Sequence, residues 1–335
     1  MKAVVFDAIN QVDVREVPYP KLKSDEIIIK VMAAGLCGSD VHIFKGGYPA
    51  NYPLIPGHEF SGIVHEVGSE VTAWKIGDRV TADPNKYCGH CYYCLSDQGN
   101  MCENATASGV TRDGGFAQYV AVPGTNVFKL PDEVSFEDGA FIEPLSCSVY
   151  AMKRLNVRYG DRALVFGAGP MGLLMLKNLM TGGASEVVCM DMEKERVKAA
   201  LEIGAFRAFD TLKDLDGYVA DARKFDVVVD ATGNPIVIES MFSYAAKRAK
   251  ILQFGCANSQ AIVRISPFEI YNNDWEYIGT RANCYTFNQA INLMKTKAVT
   301  GEKIINDFIS LDQVPDYING IRPKGSLKVI IRPNL

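Results

Sequence analysis

The sequence predicts an α/β protein with a β-rich part and a doubly wound parallel sheet. In the first third, short apolar runs alternate with frequent Gly and Pro, a pattern typical of a barrel or sandwich. From about residue 162, apolar strands alternate with helical segments, which indicates βα units with helices on both faces of a parallel sheet. The length of 335 residues favours about two domains.

Turn signals bound each predicted element. The first strands are apolar runs at 26–32, 62–67 and 78–82. The strands of the βα region are 163–166, 186–191, 225–230, 250–255 and 277–280. One helix is predicted at 170–180, where Pro170 occupies the first turn, and another at 193–203, where Gly204 ends it. A helix–strand–helix–strand tail follows Thr286 and ends in LKVIIRP.

Composition excludes several classes of protein. With 35 Lys and Arg against 39 Asp and Glu, the net charge is −4, so we expect no nucleic-acid partner. No apolar stretch reaches the ~18 residues that a spanning helix needs, so we expect no membrane association. The start, MKAVVFDAIN, follows a strand pattern that includes Asp7 and differs from a signal peptide. The cytoplasm is therefore the expected location.

A strand followed by G-x-G-x-x-G predicts a dinucleotide-binding turn. Its residues are Gly167, Gly169, Pro170, Met171 and Gly172. The glycines would permit a tight turn, close approach of a pyrophosphate to the backbone, and close packing of helix on strand. The positive end of the helix would face the phosphates.

The acid at the end of the next strand, Asp191, predicts which dinucleotide binds. Its carboxylate would accept hydrogen bonds from the adenosine ribose and repel a 2′-phosphate, which favours NAD over NADP. Lys194 and Arg196 weaken that exclusion, because a cation at this place can bind a phosphate. Asp191 can also serve as a helix N-cap, a role that is compatible with ribose binding.

The nine cysteines, an odd number, suit a complete disulfide framework poorly. Four of them form the strongest local signal: Cys88, Cys91, Cys94 and Cys102. Their spacing allows four thiolates to converge on one tetrahedral zinc, and a complete sulfur shell makes such a site structural. An iron–sulfur cluster and disulfides are the less favoured alternatives. Four other cysteines are expected in or near the core: Cys147, Cys189, Cys256 and Cys284.

A second, catalytic metal site is predicted from two Gly-rich turns and an acid before the βα region. The candidate ligands are Cys37, His58, Glu59 and Glu143. Turns after strands often display catalytic groups, and Asp40 could hold the second nitrogen of a ligating imidazole. Three protein ligands with an exchangeable fourth position are the pattern of a catalytic zinc.

Several segments occur together in one order and spacing over essentially the whole chain. They are GLCGSDVHIF (35–44), PGHEFSGIVHEVG (56–68), the cysteine quartet, DGGFAQYV (113–120), EDGAFIEPLSC (137–147), VFGAGPMG (165–172) and the final LKVIIRP. In these segments the chain resembles the zinc-dependent medium-chain dehydrogenases, and within them the sorbitol and arabinitol type. The resemblance implies a GroES-like catalytic domain at 1–146 and 286–335, with a structural-zinc lobe at about 84–104. A Rossmann NAD-binding domain at 147–285 interrupts it.

The resemblance also implies roles for single residues. Cys37 and His58 are catalytic-zinc ligands, and Glu59 is a ligand or enters during ligand exchange. Polyol dehydrogenases carry Glu at the position of Glu143, whereas classical alcohol dehydrogenases carry Cys there. The resemblance implies that Glu143 binds zinc directly or through water. Ser39 and His42 resemble the family's proton relay. The residues assigned to the cofactor beyond the Gly-rich turn are Asp191, Arg196, Thr232, Gly255, Arg281 and Lys328.

The predicted reaction is the reversible oxidation of a secondary alcohol by NAD, in which a polyol or sugar alcohol gives a ketose. We expect two zinc ions per chain, one catalytic and one structural. Phe44, Tyr48 and Phe116 are the expected pocket walls, and family analogy implies a homodimer or homotetramer. Rival substrates are a sugar phosphate, a 2-hydroxy acid and a simple alcohol. A non-catalytic NAD-binding protein is the alternative from another class, and metal content distinguishes it: about one zinc per chain against about two.

Overall fold

The computed structural model describes residues 1–334 as two compact units. The first contains residues 1–146 and 283–334, and the second contains 147–282. The first unit therefore resumes at Asn283, whereas the sequence analysis places this junction at 285/286. Tyr87 Oη donates to the carbonyl oxygen of Asn283 (3.2 Å), and Cys284 Sγ donates to the carbonyl oxygen of Asp97 (3.6 Å). These contacts with the first unit explain the earlier junction.

The elements are numbered along the whole chain. The strands are β1 (Lys2–Ala8), β2 (Gln11–Glu16), β3 (Glu26–Leu36), β4 (Glu59–Val67), β5 (Arg79–Ala82), β6 (Asn85–Lys86), β7 (Thr106–Ala107), β8 (Tyr119–Pro123), β9 (Val127–Lys129), β10 (Arg162–Phe166), β11 (Glu186–Met190), β12 (Arg207–Phe209), β13 (Phe225–Asp230), β14 (Ala245–Gln253), β15 (Glu276–Gly279), β16 (Ile305–Ile309) and β17 (Lys328–Ile331). The helices are α1 (Gly38–Phe44), α2 (Tyr92–Leu95), α3 (Phe136–Ala140), α4 (Ile142–Leu155), α5 (Pro170–Thr181), α6 (Lys194–Ile203), α7 (Leu212–Asp221), α8 (Pro235–Ser240), α9 (Pro267–Asn273), α10 (Phe287–Lys295) and α11 (Val314–Ile318). Within residues 1–334, no helix is long and apolar enough to cross a bilayer.

The first unit is built on a mixed sheet in which β3 is the central strand. The strand order is β16-β17-β3-β4-β5-β9, and β8 also pairs with β3. The antiparallel register of β3 and β4 pairs Gly35 with Glu59, so the end of β3 lies beside the start of β4. This pairing brings the predicted catalytic metal ligands together, because Cys37 follows β3 directly and His58 directly precedes β4.

The second unit is a six-stranded parallel sheet with the order β12-β11-β10-β13-β14-β15. Numbered within the unit, this is the doubly wound order 3-2-1-4-5-6, whose topological switch point lies between β10 and β13. Both strands at the switch point are almost entirely buried, as strands covered on both faces must be. The predicted doubly wound sheet and mixed α/β class are thus confirmed. In such sheets, ligands bind beyond the carboxyl ends of the strands at the switch point.

Two features of this sheet lie outside the sequence prediction. β12 has three residues, which are too few to show a periodic pattern. β14 begins at Ala245 and not at 250, and its first half carries the exposed residues Lys247 and Arg248. Arg248 adopts the left-handed region at φ 62°, so neither side-chain alternation nor apolar character marks the start of the strand.

Candidate functional site

The cysteine quartet converges in space. Cys88 follows β6, and Cys91 is the N-cap of the short helix α2. Cys94 lies within α2, and Cys102 comes after the next turn. The four Sγ atoms lie within 4.8 Å of one another. The Sγ atoms of Cys91 and Cys94 are 3.5 Å apart, and those of Cys88 and Cys94 are 3.9 Å apart. A tetrahedron with Zn–S bonds of about 2.3 Å requires S···S distances of about 3.8 Å, whereas a disulfide requires about 2.05 Å. The quartet therefore fits one metal ion.

Backbone groups favour thiolates in this loop. The backbone N–H of Cys91 donates to Cys88 Sγ (3.4 Å), and that of Cys88 donates to Cys102 Sγ (3.3 Å). Backbone N–H groups, first that of His90, lower the pKa of Cys88 to about 6, while desolvation raises the pKa of Cys94 to about 12. His90 itself lies at the surface, and its Nδ1 is 2.9 Å from the carbonyl oxygen of Cys88.

The second metal constellation contains Cys37, His58 and Glu59, whose donor atoms also lie within 4.8 Å of one another. Glu59 is fully buried; its Oε1 has no hydrogen-bond partner among the described residues, and its Oε2 is paired with the ammonium of Lys328. A buried polar atom without a partner is costly, so this free carboxylate oxygen beside a thiol and an imidazole indicates a cation site. The donor set fits zinc.

Asp40 orients the imidazole of His58. One oxygen of its buried carboxylate accepts a hydrogen bond from the backbone N–H of Cys37 (2.9 Å), and the other lies 3.3 Å from His58 Nδ1. Burial opposes charge on the ring, but Asp40 and then Cys37 outweigh it and raise the pKa of His58 well above its ordinary value. With Nδ1 turned to Asp40, Nε2 remains for a metal, as in other carboxylate–histidine–metal arrangements.

Glu143 does not join this group in the structure. It is buried in the first turn of α4, but its carboxylate is not within 4.8 Å of all three clustered donors. Of the two modes that the sequence analysis left open, the geometry disfavours direct ligation alongside these residues.

Lys328 occupies a different place from the one expected. The family resemblance implies a place near the cofactor phosphate, but the ammonium of Lys328 forms an ion pair with Glu59 Oε2 and donates to the carbonyl oxygen of Leu36 (3.1 Å). Only 4% of its side chain is exposed. Burial lowers the pKa of Lys328, but the carboxylate of Glu59 reverses this and raises it. Lys328 is therefore a counter-charge at the metal centre, and such a role depends on the fold and leaves no local sequence signal.

The predicted relay residues share a helix. Ser39 and His42 are three residues apart on α1, which places them on one face. Ser39 is half-buried with Oγ 3.7 Å from Cys37 Sγ, whereas His42 is exposed. This arrangement connects the metal constellation with the surface of the first unit.

Two of the three expected pocket walls are core residues. Phe44 and Phe116 are buried in the main hydrophobic cluster of the first unit, where the rings of Phe44 and Phe6 are 5.4 Å apart. That both rings also line the substrate pocket stays a prediction. Tyr48, 39% exposed, lies in the loop after α1 and is the one that stays at the surface.

The Gly-rich turn of the second unit has the geometry that phosphate binding requires. Gly167 has φ +96°, and Gly169 is the N-cap of α5, whose first residues are Pro170 and Met171. A Cβ at Gly172 would collide with the carbonyl oxygen of Gly167. The backbone can therefore approach a ligand at the N-terminus of α5.

Asp191 supports this turn from the end of β11. Its Oδ2 accepts a hydrogen bond from the backbone N–H of Ala168 (2.8 Å), and its Oδ1 accepts one from that of Glu193 (2.9 Å). Arg196 Nη1 lies 3.6 Å from Asp191 and Nη2 3.3 Å from Glu193. Asp191 is not the helix N-cap that the sequence also allowed, because Glu193 is the N-cap of α6, and the cation that weakens NADP exclusion lies beside Asp191.

The other predicted cofactor residues lie at the carboxyl ends of successive strands. Thr232 follows β13, Gly255 follows β14, and the exposed Arg281 follows β15. Asp230, to which the sequence assigned no role, accepts hydrogen bonds from Thr232 and from the backbone N–H of Gly255. Its available signal was an acid that ends a buried strand directly before a turn.

Four cysteines remain outside the metal constellations. Cys189 and Cys284 are buried and Cys147 is half-buried, but Cys256 is exposed. The expectation of a core or near-core place fails for Cys256, because it lies in the loop after β14 and not in a packed element.

Comparisons with known proteins agree with this arrangement. Residues 23–132 match the family model of the alcohol dehydrogenase GroES-like domain, and residues 170–296 match that of the zinc-binding dehydrogenases. The sorbitol dehydrogenase of Bacillus subtilis is 32% identical, over 100% of this chain and 98% of that protein. D-arabinitol dehydrogenase 1 of Uromyces fabae is 28% identical, over 100% of this chain and 97% of that protein.

A solved structure shows the same fold. It is an NADP-bound protein of Sinorhizobium meliloti 1021 described as a zinc-binding dehydrogenase, with a TM-score of 0.94, 32% identity and 99% of each chain covered. Sequence and structure agree over the full length, with both metal constellations and the Gly-rich turn in place. The chain belongs to the zinc-binding alcohol dehydrogenase family, as an enzyme with a GroES-like domain and a dinucleotide-binding domain.

Proposed function

We propose that this enzyme oxidises a secondary alcohol of a polyol reversibly, with zinc as its catalytic metal and NAD as hydride acceptor. The convergence of Cys37, His58 and Glu59 in a buried site, where Glu59 Oε1 has no hydrogen-bond partner among the described residues, carries the proposal. One thiolate, one imidazole and one carboxylate can hold zinc and leave a position for the substrate oxygen.

The residues around this site divide the work. A zinc ion held there supplies Lewis acidity, which lowers the pKa of the substrate hydroxyl. Asp40 fixes the ring of His58, and Lys328 offsets part of the negative charge of Glu59. Ser39 accepts the hydroxyl proton, and His42, exposed on the same helix face, passes it to solvent. A bound nicotinamide ring would accept the hydride from the substrate carbon.

The cysteine quartet holds a second, structural zinc in this proposal. Its S···S distances and backbone N–H···S bonds support four thiolate ligands, which leave no open position. Two zinc ions per chain are thus expected. Thiolate ligands must stay reduced, so the cytoplasm is the proposed compartment.

For the cofactor, we favour NAD over NADP. Asp191 places a negative charge at the end of β11, beside the turn that faces the phosphates. Glu193 adds a second carboxylate and engages Arg196 (3.3 Å), which reduces the cation's availability for a 2′-phosphate. The NADP-bound relative makes a strict preference less expected, so both cofactors belong in the assay.

A polyol is the favoured substrate because the similar sorbitol and arabinitol dehydrogenases are named for polyols and cover the whole chain. A homodimer or homotetramer is the proposed assembly. β15 is an edge strand, with Tyr277 41% exposed, and the unpaired backbone groups of an edge can pair with those of a second copy.

The decisive experiment measures metal content and then reduced nicotinamide during incubation with sorbitol, arabinitol, their phosphates and a simple secondary alcohol. We expect about two zinc ions per chain and fastest turnover with a free polyol and NAD. The variant Cys37→Ala should lose the catalytic zinc and the activity, whereas Cys189→Ala, a buried thiol outside both metal constellations, should keep both. Equal activity of Cys37→Ala and wild type would refute the zinc mechanism.

A further inference from the structure

Asp230 is a fully buried carboxylate at the carboxyl end of β13. This position borders the topological switch point of the second unit, where doubly wound sheets bind their ligands. Among residues 1–334, no lysine or arginine forms an ion pair with it; its side-chain hydrogen bonds come from neutral groups. A buried charge held in this way needs several donors at once.

Each carboxylate oxygen of Asp230 accepts two hydrogen bonds. Oδ1 accepts from the backbone N–H and the hydroxyl of Thr232, at 2.9 and 2.6 Å. Oδ2 accepts from the backbone N–H of Gly233 at 3.0 Å and from Gln253 Nε2 at 2.8 Å. The carboxylate thereby joins the loop after β13 to the end of β14.

The backbone of Asp230 reinforces this connection. Its carbonyl oxygen accepts from the backbone N–H groups of Phe254 (3.0 Å) and Gly255 (2.8 Å). The two loops pack so closely that a Cβ on Gly255 would overlap the backbone nitrogen of Gly233 and lie 2.9 Å from Asp230 Oδ2. Gln253 Nε2 also donates to the carbonyl oxygen of Gly255 (2.6 Å).

We infer that Asp230 is a positioning residue that holds the loops 231–234 and 253–256 in the conformation that binds the nicotinamide dinucleotide. This inference rests on the proposed function, since Thr232 and Gly255 are cofactor residues only in that proposal. A carboxylate is the side chain that can accept at both oxygens without donating. The amide of an asparagine has the same shape, but its NH2 group would face the hydrogen-bond donors of one loop. That loop would then lose its hydrogen bonds to residue 230.

The test compares Asp230→Asn with Asp226→Asn, which lies on the same strand at its other end. Asp226 also accepts several hydrogen bonds, from the backbone N–H of Arg162 (2.9 Å) and from both Nη atoms of Arg223. Both variants therefore lose carboxylate hydrogen bonds of β13, but only Asp230→Asn affects the loops. Dissociation constants for NADH are measured by fluorescence titration, together with amide hydrogen exchange of the cofactor-free protein.

For Asp230→Asn, loss of one charged hydrogen-bond set should raise the dissociation constant for NADH and the KM for NAD by about tenfold or more. The KM for the alcohol and the zinc content should stay at wild-type values. The amides of Thr232 and Gly233 should exchange faster, and Asp226→Asn should show neither change. Gln253→Leu, which keeps the charge and removes one donor, should show a smaller shift in the same direction.

Three results are distinguishable. If the wild type binds neither NADH nor NADPH, the proposed function fails. If the wild type binds and Asp230→Asn or Gln253→Leu binds equally well with unchanged loop exchange, the inference about Asp230 is overturned. If Asp226→Asn weakens NADH binding as much as Asp230→Asn, the effect belongs to strand stability and the positioning role is also overturned. Gln253→Leu decides the matter should Asp230→Asn fail to fold.

Discussion

Replacement of Lys328 by Met should destabilise the zinc-free protein far more than the zinc-loaded protein. The ammonium is paired with Glu59, and the two side chains are 4% and 0% exposed. Removal of one partner from a buried pair typically costs about 3–5 kcal/mol, because the other charge remains without compensation. The larger loss is expected when no metal is bound.

In the zinc-loaded protein, the metal supplies the missing positive charge beside Glu59. The remaining loss is that of a volume-conserving core substitution, about 1.5 kcal/mol or less. The difference between the two forms is then about 2 kcal/mol, which by linkage corresponds to about 30-fold tighter zinc binding by the variant. Lys328→Met should therefore be less stable and bind its metal more tightly.

The assay is urea unfolding of the full chain with and without zinc, together with zinc competition against a chromophoric chelator. The variant is compared with wild type within each form, so the contribution of the cysteine quartet cancels. Lys2→Met is the matched control: its ion pair with Asp312 is 2.6 Å long but exposed, so its loss should cost less than about 1 kcal/mol in both forms. Equal destabilisation of Lys328→Met with and without zinc would refute the counter-charge role.

Three further predictions concern the first unit. Gly35→Ala should lower the zinc content, and it should lower the unfolding free energy by about 1–3 kcal/mol, because the new Cβ would overlap the carboxylate of Glu59. A thermal melt measures the loss of stability, and Gly38→Ala is the control because its Cβ would meet nothing within 4 Å. Asp40→Asn should weaken zinc retention about 10- to 100-fold in a chelator titration, since it removes the charge that orients the imidazole, and unchanged retention would contradict this. Burial raises the pKa of Asp83 to about 6, so the folded state binds this proton more tightly than the unfolded state and stability falls as pH rises from about 4 to 6. Asp83→Asn should gain stability over wild type across that interval, and a difference in melting temperature that does not grow with pH would contradict the assignment.

The sequence carries the parts of this site that depend on short spacing. The quartet lies in one segment, and the Gly-rich turn is fixed by residues next to each other, so local pattern was enough to predict both. The doubly wound sheet follows from repeated apolar strands, since only alternating helices can connect parallel neighbours.

Partners that are distant in the chain were beyond reach of these patterns. Lys328 meets Glu59 because β17 and β4 both pair with β3, a fact of sheet order that no spacing encodes. Phenylalanine suits a pocket wall and a core equally, and only the folded packing shows that Phe44 and Phe116 belong to the main hydrophobic cluster. Asp230 resembles any acid at a strand end until the loops fold around it.

Charge balance explains why a lysine stands at the metal constellation. With a thiolate at Cys37, carboxylates at Asp40 and Glu59, a neutral imidazole and the ammonium of Lys328, the buried group carries −3 + 1 = −2. A divalent cation neutralises this sum. Without the lysine the metal-free group would carry −3, and a divalent cation would remove most of that charge, which is why the variant should bind zinc more tightly. In the absence of metal, a proton on His58 can take over part of that role, which agrees with its raised pKa. The arrangement therefore matches a 2+ ion by charge as well as by ligand type, and Lys328 limits the charge of the metal-free site.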